Sequence, residues 1–254
     1  MVSEPRRLAI LPRLGLRPTV RETVASLLDE AFADIESRSA ASEAPGSGEP
    51  GPLVDALDAG CGRISSLNRY RGRIRRFVGV DLHAPAPGAL PHLDEFVTVD
   101  VCGDPSAMGE RAFDIVFSSF TVEHFGDPAA AFANLRRWVR PGGWFVLTTV
   151  NRRHPLVRIY LNLPDRIQQP LQRAIKATPA DAHPLVGICN DPRRIREALV
   201  AAGFVDIRVE TVPNLARAWG RRWPAYTLGL IGDLLAQPFR SRRSTIVADA
   251  RVAA

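Results

Sequence analysis

The chain has 254 residues, 46% of them hydrophobic and 24% charged, and a formal net charge of +6. That length suits one sizeable domain with additions, and the composition is ordinary for a globular protein. No stretch reaches the roughly 18 consecutive apolar residues that a membrane-spanning helix needs. The nearest, Trp223 to Phe239, is broken by Asp233.

The first 52 residues read as a helical segment and a linker. Thr19 and Glu22 form a Thr-x-x-Glu capping box, and Val20, Val24, Leu27, Leu28, Ala31 and Ile35 follow at helical spacing. This helix is expected to end near Ser37. Ala40 to Pro52 is rich in Ser, Gly, Pro and Glu, the composition of a linker. From Leu53 onward, to residue 254, short apolar runs alternate with turn residues. Leu53–Ala59, Phe77–Leu82, Phe96–Val101, Asp114–Ser119, Trp144–Val150, Val205–Val212 and Thr245–Val252 each read as a strand.

Helical signals stand between some of these strands. Asp127-Pro128 caps a helix with Phe132, Leu135 and Val139 on one face, and Asp191-Pro192 caps another that ends at Gly203. A further helix is expected around Tyr226–Ala236. The crossovers Leu82–Phe96 and Cys102–Phe113 are poor helices and are expected to be loops or single turns. Residues 151–190 interrupt the rhythm with repeated prolines and read as a lid, with short helices at Leu156–Tyr160 and Ile167–Ile175. Strands alternating with helices predict a three-layer α/β sandwich with a mostly parallel sheet.

The chemistry concentrates at three strand ends. Leu57-Asp58-Ala59-Gly60-Cys61-Gly62 follows the first strand, where Gly-x-Gly lets a ligand approach the backbone. Asp81 ends the next strand about 20 residues on, the place where nucleotide-binding folds set a carboxylate against ribose hydroxyls. Asp100, between Val99 and Val101, ends the third. The cysteines, Cys61, Cys102 and Cys189, form no CxxC pair, so reduced thiols and no metal site are expected. The N-terminus lacks a signal-peptide layout, and the chain is read as cytoplasmic. Nearly all the basic residues are arginines in small scattered clusters, so a nucleic-acid face is not expected, while an acidic small molecule stays open as a partner.

Leu57 to Gly62 resembles the first motif of class I S-adenosylmethionine-dependent methyltransferases. Phe113 to Phe125, with Phe113-Asp114 leading to Glu123-His124, is similar to their fourth-strand segment. Leu135 to Leu147, through Arg140-Pro141-Gly142-Gly143, resembles the entry to their fifth strand. The resemblance is closest to the small-molecule branch called type 11. It implies a Rossmann-like sheet of seven strands whose last strand runs antiparallel beside Val205–Val212. It implies S-adenosylmethionine as cofactor and a small-molecule methyl acceptor at an O, N or C atom. Asp58, Gly60, Cys61 and Gly62 would line the methionine and sugar, Asp81 the ribose, Leu82 the adenine face, Asp100 and Val101 the adenine edge, and Ser118 the methionine end. His124 is the candidate general base. The N-terminal helix and residues 151–190 are expected to cover the acceptor side. Many relatives carry a third glycine where this chain has Ile64. The rival readings are a nicotinamide-dependent oxidoreductase, whose third fingerprint glycine is here Ser65, and a catalytically lapsed scaffold on the same fold.

Overall fold

The computed structural model describes residues 6–42, 54–62, 65–86, 88–164, 166–168, 170–171, 185–220 and 223–254. The expected linker beyond residue 42, the glycine-replacing Ile64, the end of the Ile167–Ile175 helix and His183 lie outside the described residues.

Each expected strand forms: β1 (Val54–Ala59), β2 (Ile74–Asp81), β3 (Glu95–Thr98), β4 (Phe113–Ser119), β5 (Val139–Val150), β6 (Val205–Val212) and β7 (Thr245–Arg251). They make one seven-stranded sheet in the order β3-β2-β1-β4-β5-β7-β6. The pairs from β3 across to β5 are parallel, and β7 lies antiparallel between β5 and β6. This is the Rossmann-like sheet anticipated from the motifs, with its reversed last strand.

Three strand limits differ from the sequence reading by three residues or more: β2 starts at Ile74, ahead of Phe77, and the other two lie in β3 and β5. β3 stops at Thr98, because Asp100 turns its carboxylate onto the Cys102 N–H (2.8 Å) and bends the chain out of the ladder. Asp100 therefore sits in the turn past the strand. β5 starts early, at Val139, because Arg140 is held by ion pairs to Asp55 and Asp114, both at 2.7 Å, and draws its segment onto the sheet.

Helix α1 (Val20–Ser42) begins at the expected capping box. The Thr19 N–H donates to Glu22 Oε2 (2.8 Å) and the Glu22 N–H to Thr19 Oγ1 (3.1 Å). Its apolar stripe, Val24, Leu28, Ala31, Phe32 and Ile35, is buried against Val54 and Ala56 of β1, Phe77 of β2, Ile115 and Phe117 of β4 and Val146 of β5. The helix was expected over the acceptor side; it is instead a layer of the sandwich, because its stripe matches the alternate residues of one sheet face. The 3-10 segment before it, Arg6–Leu14, goes elsewhere. Leu8, Leu11 and Leu16 pack on Ala216 and Tyr226.

The opposite face carries α2 (Pro128–Trp138) and, after α3 (Pro155–Leu161), α4 (Pro192–Ala201). Asp127 and Asp191 cap α2 and α4 as expected, accepting from Ala130 N–H (3.0 Å) and Arg193 N–H (2.9 Å). Phe132, Leu135 and Trp138 of α2 and Ile195 and Leu199 of α4 are fully buried there with Val116, Phe145 and Leu147. The crossovers after β2 and β3 hold no α-helix among the described residues, only a 3-10 turn at Pro105–Met108. After β6 come the short α5 (Leu215–Ala218) and α6 (Trp223–Ala236).

Since α1 is a core layer, Phe32→Ala should cost about 3–5 kcal/mol of stability in urea unfolding. A helix merely appended to the sheet would leave the unfolding midpoint of the sheet where it was.

Candidate active site

β1 and β4 are neighbours that connect onward on opposite faces, so their carboxyl ends part and leave a crevice. A cavity of about 580 Å³ opens there, lined among others by Gly60, Gly62, Asp81, Leu82, Asp100, Val101 and His124. Gly60 has a φ of 75°, and a Cβ there would collide with the Thr121 side chain. Only glycine lets the two strand ends approach so closely.

The carboxylates sit as follows. Asp81 accepts from the Gly62 N–H at Oδ2 (3.1 Å) and from the His83 N–H at Oδ1 (3.3 Å), which ties one of its oxygens to the glycine loop. Asp100 lines the same cavity. Leu82 is 56% exposed on the cavity wall. Asp58 lies behind the rim, buried, and its Oδ1 has no hydrogen-bond partner among the described residues. Burial pushes its carboxyl up to about 7, a hydrogen bond from Ser65 opposes that rise, and the negative Asp81 adds to it.

Two predicted residues point away from the cavity. The Cys61 thiol turns beneath β2, where a Cβ on Gly79 would meet its sulfur, and burial with Asp58 and Asp81 nearby drives its pKa far up. The backbone of Cys61 still shapes the loop, donating to Val80 O (3.1 Å). Ser118 is fully buried and does not line the cavity. β4 runs on to Ser119, so strand alternation hands the lining position to Ser119, whose hydroxyl meets that of Thr148 (3.1 Å).

A second cavity, of about 430 Å³, adjoins the first. Its walls come from α3 (Val157, Tyr160, Leu161), α5 (Leu215, Ala218) and Trp219, and Phe120 lines both cavities. Phe120 adopts a left-handed backbone, φ 53°, an uncommon state for a side-chain-bearing residue. No sequence signal marked Phe120 or Trp219. Glu123 and His124 part company at this junction: Glu123 faces the second cavity and His124 the first. Glu123 is buried, accepts from Thr149 Oγ1 (2.7 Å), and its carbonyl holds the N–H groups of Val186 and Gly187 (2.9 Å each). Arg152 and Arg153 line neither cavity; they face a basic hollow outside α3.

A crevice at the β1–β4 switch point with a glycine gap and two rim carboxylates defines a nucleotide-binding α/β domain. The antiparallel β7 between β5 and β6 is the reversed last strand that the resemblance implies. Residues 17–209 match the family profile described as "Methyltransferase domain", and the chain belongs to that family. It is 31% identical over 175 residues to the nocamycin O-methyltransferase of Saccharothrix syringae, covering 63% of this chain and 62% of that protein. It is 34% identical over 102 residues to the ubiquinone biosynthesis O-methyltransferase of Paraburkholderia phytofirmans, covering 38% and 44%. The chain thus matches less than two thirds of the length of these relatives. The fold resembles phosphoethanolamine N-methyltransferase 2 of Haemonchus contortus, solved with S-adenosyl-L-methionine, at a TM-score of 0.52 and 18% identity, covering 89% of this chain and 53% of that one.

A buried acid with a raised pKa makes stability fall as pH rises. The unfolded Asp58 ionises near 3.8 and the folded one at about 7, so between those values the native state holds the extra proton. Asp58→Asn cannot ionise. Relative to it, wild type should lose on the order of 2–4 kcal/mol between pH 4 and 8 in urea titrations. A difference that stays flat with pH would place Asp58 in contact with water or a cation.

Proposed function

We propose that this chain is an S-adenosylmethionine-dependent methyltransferase acting on a small apolar molecule at a hydroxyl oxygen. The observation that carries the reading is the meeting of two unlike cavities at Phe120, one with carboxylates beside a glycine gap, the other mainly apolar with Glu123 on its wall. The first fits an adenosyl group. Asp81 would accept from the ribose hydroxyls, Leu82 would pack on adenine, Asp100 with Val101 would meet the adenine edge, and Gly60 to Gly62 leave room for the sugar. Asp58, with an unpartnered oxygen behind the loop, suits the cationic methionine amine.

The bound cofactor supplies an electrophilic methyl on a sulfonium, so the protein needs chiefly to align a nucleophile and exclude water. The walls from α3 and α5 would do both, and Leu185 adds a further part of the 151–190 stretch to the lining of the acceptor cavity. Among the described residues no lysine or arginine lines that cavity, which favours an uncharged acceptor over an anionic one. The aromatic Phe120, Tyr160 and Trp219 suit a planar ring, and the O-methyltransferase names of the relatives agree with a hydroxyl. His124, half-buried on the cofactor side, is the proposed base for the hydroxyl proton. Glu123 serves as an anchor, tying β5 to the segment at Val186 and Gly187.

Calorimetry on the purified chain tests the cofactor. S-adenosylhomocysteine should bind and NADH should not, and Asp81→Ala should weaken the former about 10- to 100-fold. NADH binding alone would make the protein an oxidoreductase. With a phenolic acceptor found by screening, His124→Gln should lower kcat by about 10²–10⁴-fold with unchanged S-adenosylhomocysteine affinity. Full turnover by that variant would remove the base from the mechanism.

A further inference from the structure

Helix α6 has its two faces exchanged. Its buried side holds Tyr226, Gly229, Gly232, Asp233 and Ala236. Its outer side shows Trp223, Leu228, Ile231, Leu234 and Leu235, exposed by 63%, 49%, 50%, 39% and 71%. At 100° per residue these five fall within one arc, opposite the buried set. The one charged residue of the helix, Asp233, points inward, where it accepts from the Ala216 N–H and the Ser244 hydroxyl, both at 2.8 Å. Thr227, the polar residue of the outer face, returns its hydroxyl to Trp223 O (3.0 Å). A helix bathed in water would carry its charges outside. The apolar surface continues to Phe239 and, on α3, to Ile159, exposed by 54% and 60%.

Charge borders this patch on one side. A hollow of about 520 Å³ is lined by Arg152, Arg153, Arg158, Arg194 and Arg242, with Asp191 as its one acid. The hollow is continuous with the apolar surface. Arg158 adjoins Ile159, which lines the hollow too, and the Arg242 guanidinium lies 5.3 Å from the Phe239 ring centroid.

We propose that this face docks on an anionic lipid bilayer, with α6 lying in the interface and the arginine hollow receiving lipid phosphates. An exposed apolar helix face beside clustered arginines has the two attractions that interfacial binding combines, acyl-chain burial and attraction to negative headgroups. A second copy of the chain fits less well. Two-fold pairing through the same patch would bring the arginine hollows of both copies to one interface, like charge near like charge. Both α3 and α5, walls of the apolar cavity, pack against α6. Docking would therefore bring the acceptor cavity near a store of apolar molecules; that last point rests on the proposed function, and the docking itself does not.

The full chain is tested by flotation with vesicles of phosphatidylcholine alone and of phosphatidylcholine mixed with phosphatidylglycerol. It should float with the mixed vesicles, far less with the neutral ones, and less as salt rises. Ile231→Glu, Leu235→Glu and the pair Arg158→Glu with Arg242→Glu should each lower the bound fraction about tenfold. All should keep wild-type affinity for S-adenosylhomocysteine, which separates lost docking from lost folding. The proposal fails if wild type ignores the mixed vesicles, or if the variants that keep cofactor affinity float as wild type does. It fails equally if α6 proves to be a dimer interface, seen as a wild-type dimer in sedimentation that Ile231→Glu dissociates without any vesicle binding. Absent S-adenosylhomocysteine binding with intact flotation would overturn the methyltransferase reading and leave the docking standing; vesicle variants would then be checked by their unfolding midpoints.

Discussion

The reversal of strand order between β1 and β4 is the constraint on which the rest of the site depends. After β1 the chain packs Leu67 and Tyr70 on the α1 side, and after β4 it packs α2 on the other. Neither connection then covers the gap between the two strand ends. Into that gap the chain sends one residue that no other type can replace: Gly60, whose left-handed backbone lies against Thr121. The gap leaves room beside the glycine backbone, and the parallel register of β2 beside β1 brings Asp81 level with it. Topology supplies the opening, and the side chains at successive strand ends supply its chemistry.

The electrostatics follow from depth. Asp81 and Asp100 line the cavity, while Asp58, one residue before Ala59 at the end of β1, is buried behind the glycine loop. Burial first, and then the negative charge of Asp81, disfavour an ionised Asp58. A cation beside Asp58 would relieve both burial and repulsion. The same arrangement that costs stability in the free protein therefore favours a ligand carrying a positive group at that point.

Much of this was legible in the sequence, for identifiable reasons. The buried strands read clearly because parallel strands covered on both faces are continuous apolar runs, and α1, α2 and α4 announced themselves through Thr19, Asp127 and Asp191, whose side chains meet the first-turn N–H groups they were read to cap. Where a motif carried the reading, at Gly60, Gly62, Asp81 and Asp100, the residues line one cavity. The site read poorly where one residue decides a face: Ser118 and Ser119 are adjacent and alike, yet alternation sends only the second into the cavity. The place of α1 was missed because an amphipathic stripe says that a helix is covered, not by what. Phe120, Tyr160 and Trp219 come together from β4, α3 and the end of α5, and no spacing within the chain records such a meeting.

Helix α6 shows how such a stripe misleads in the other direction. Read along the chain, Trp223 to Ala236 is apolar nearly throughout and suggests a buried helix. In the fold its inner face is narrow, built on glycines: a Cβ on Gly229 would press on the backbone of Leu215, and one on Gly232 on the Leu156 side chain. Close approach of α3 and α5 thus uses up the small residues and the single carboxylate, and the bulky apolar ones are left outside. Packing of this domain accounts for the inner face completely. It gives no reason for Leu228, Ile231 and Leu235, because surface positions on a helix in water favour charged residues of equal or better helix propensity. Three such residues on one arc, bordered by an arginine hollow, are the surface that the proposed bilayer docking would cover.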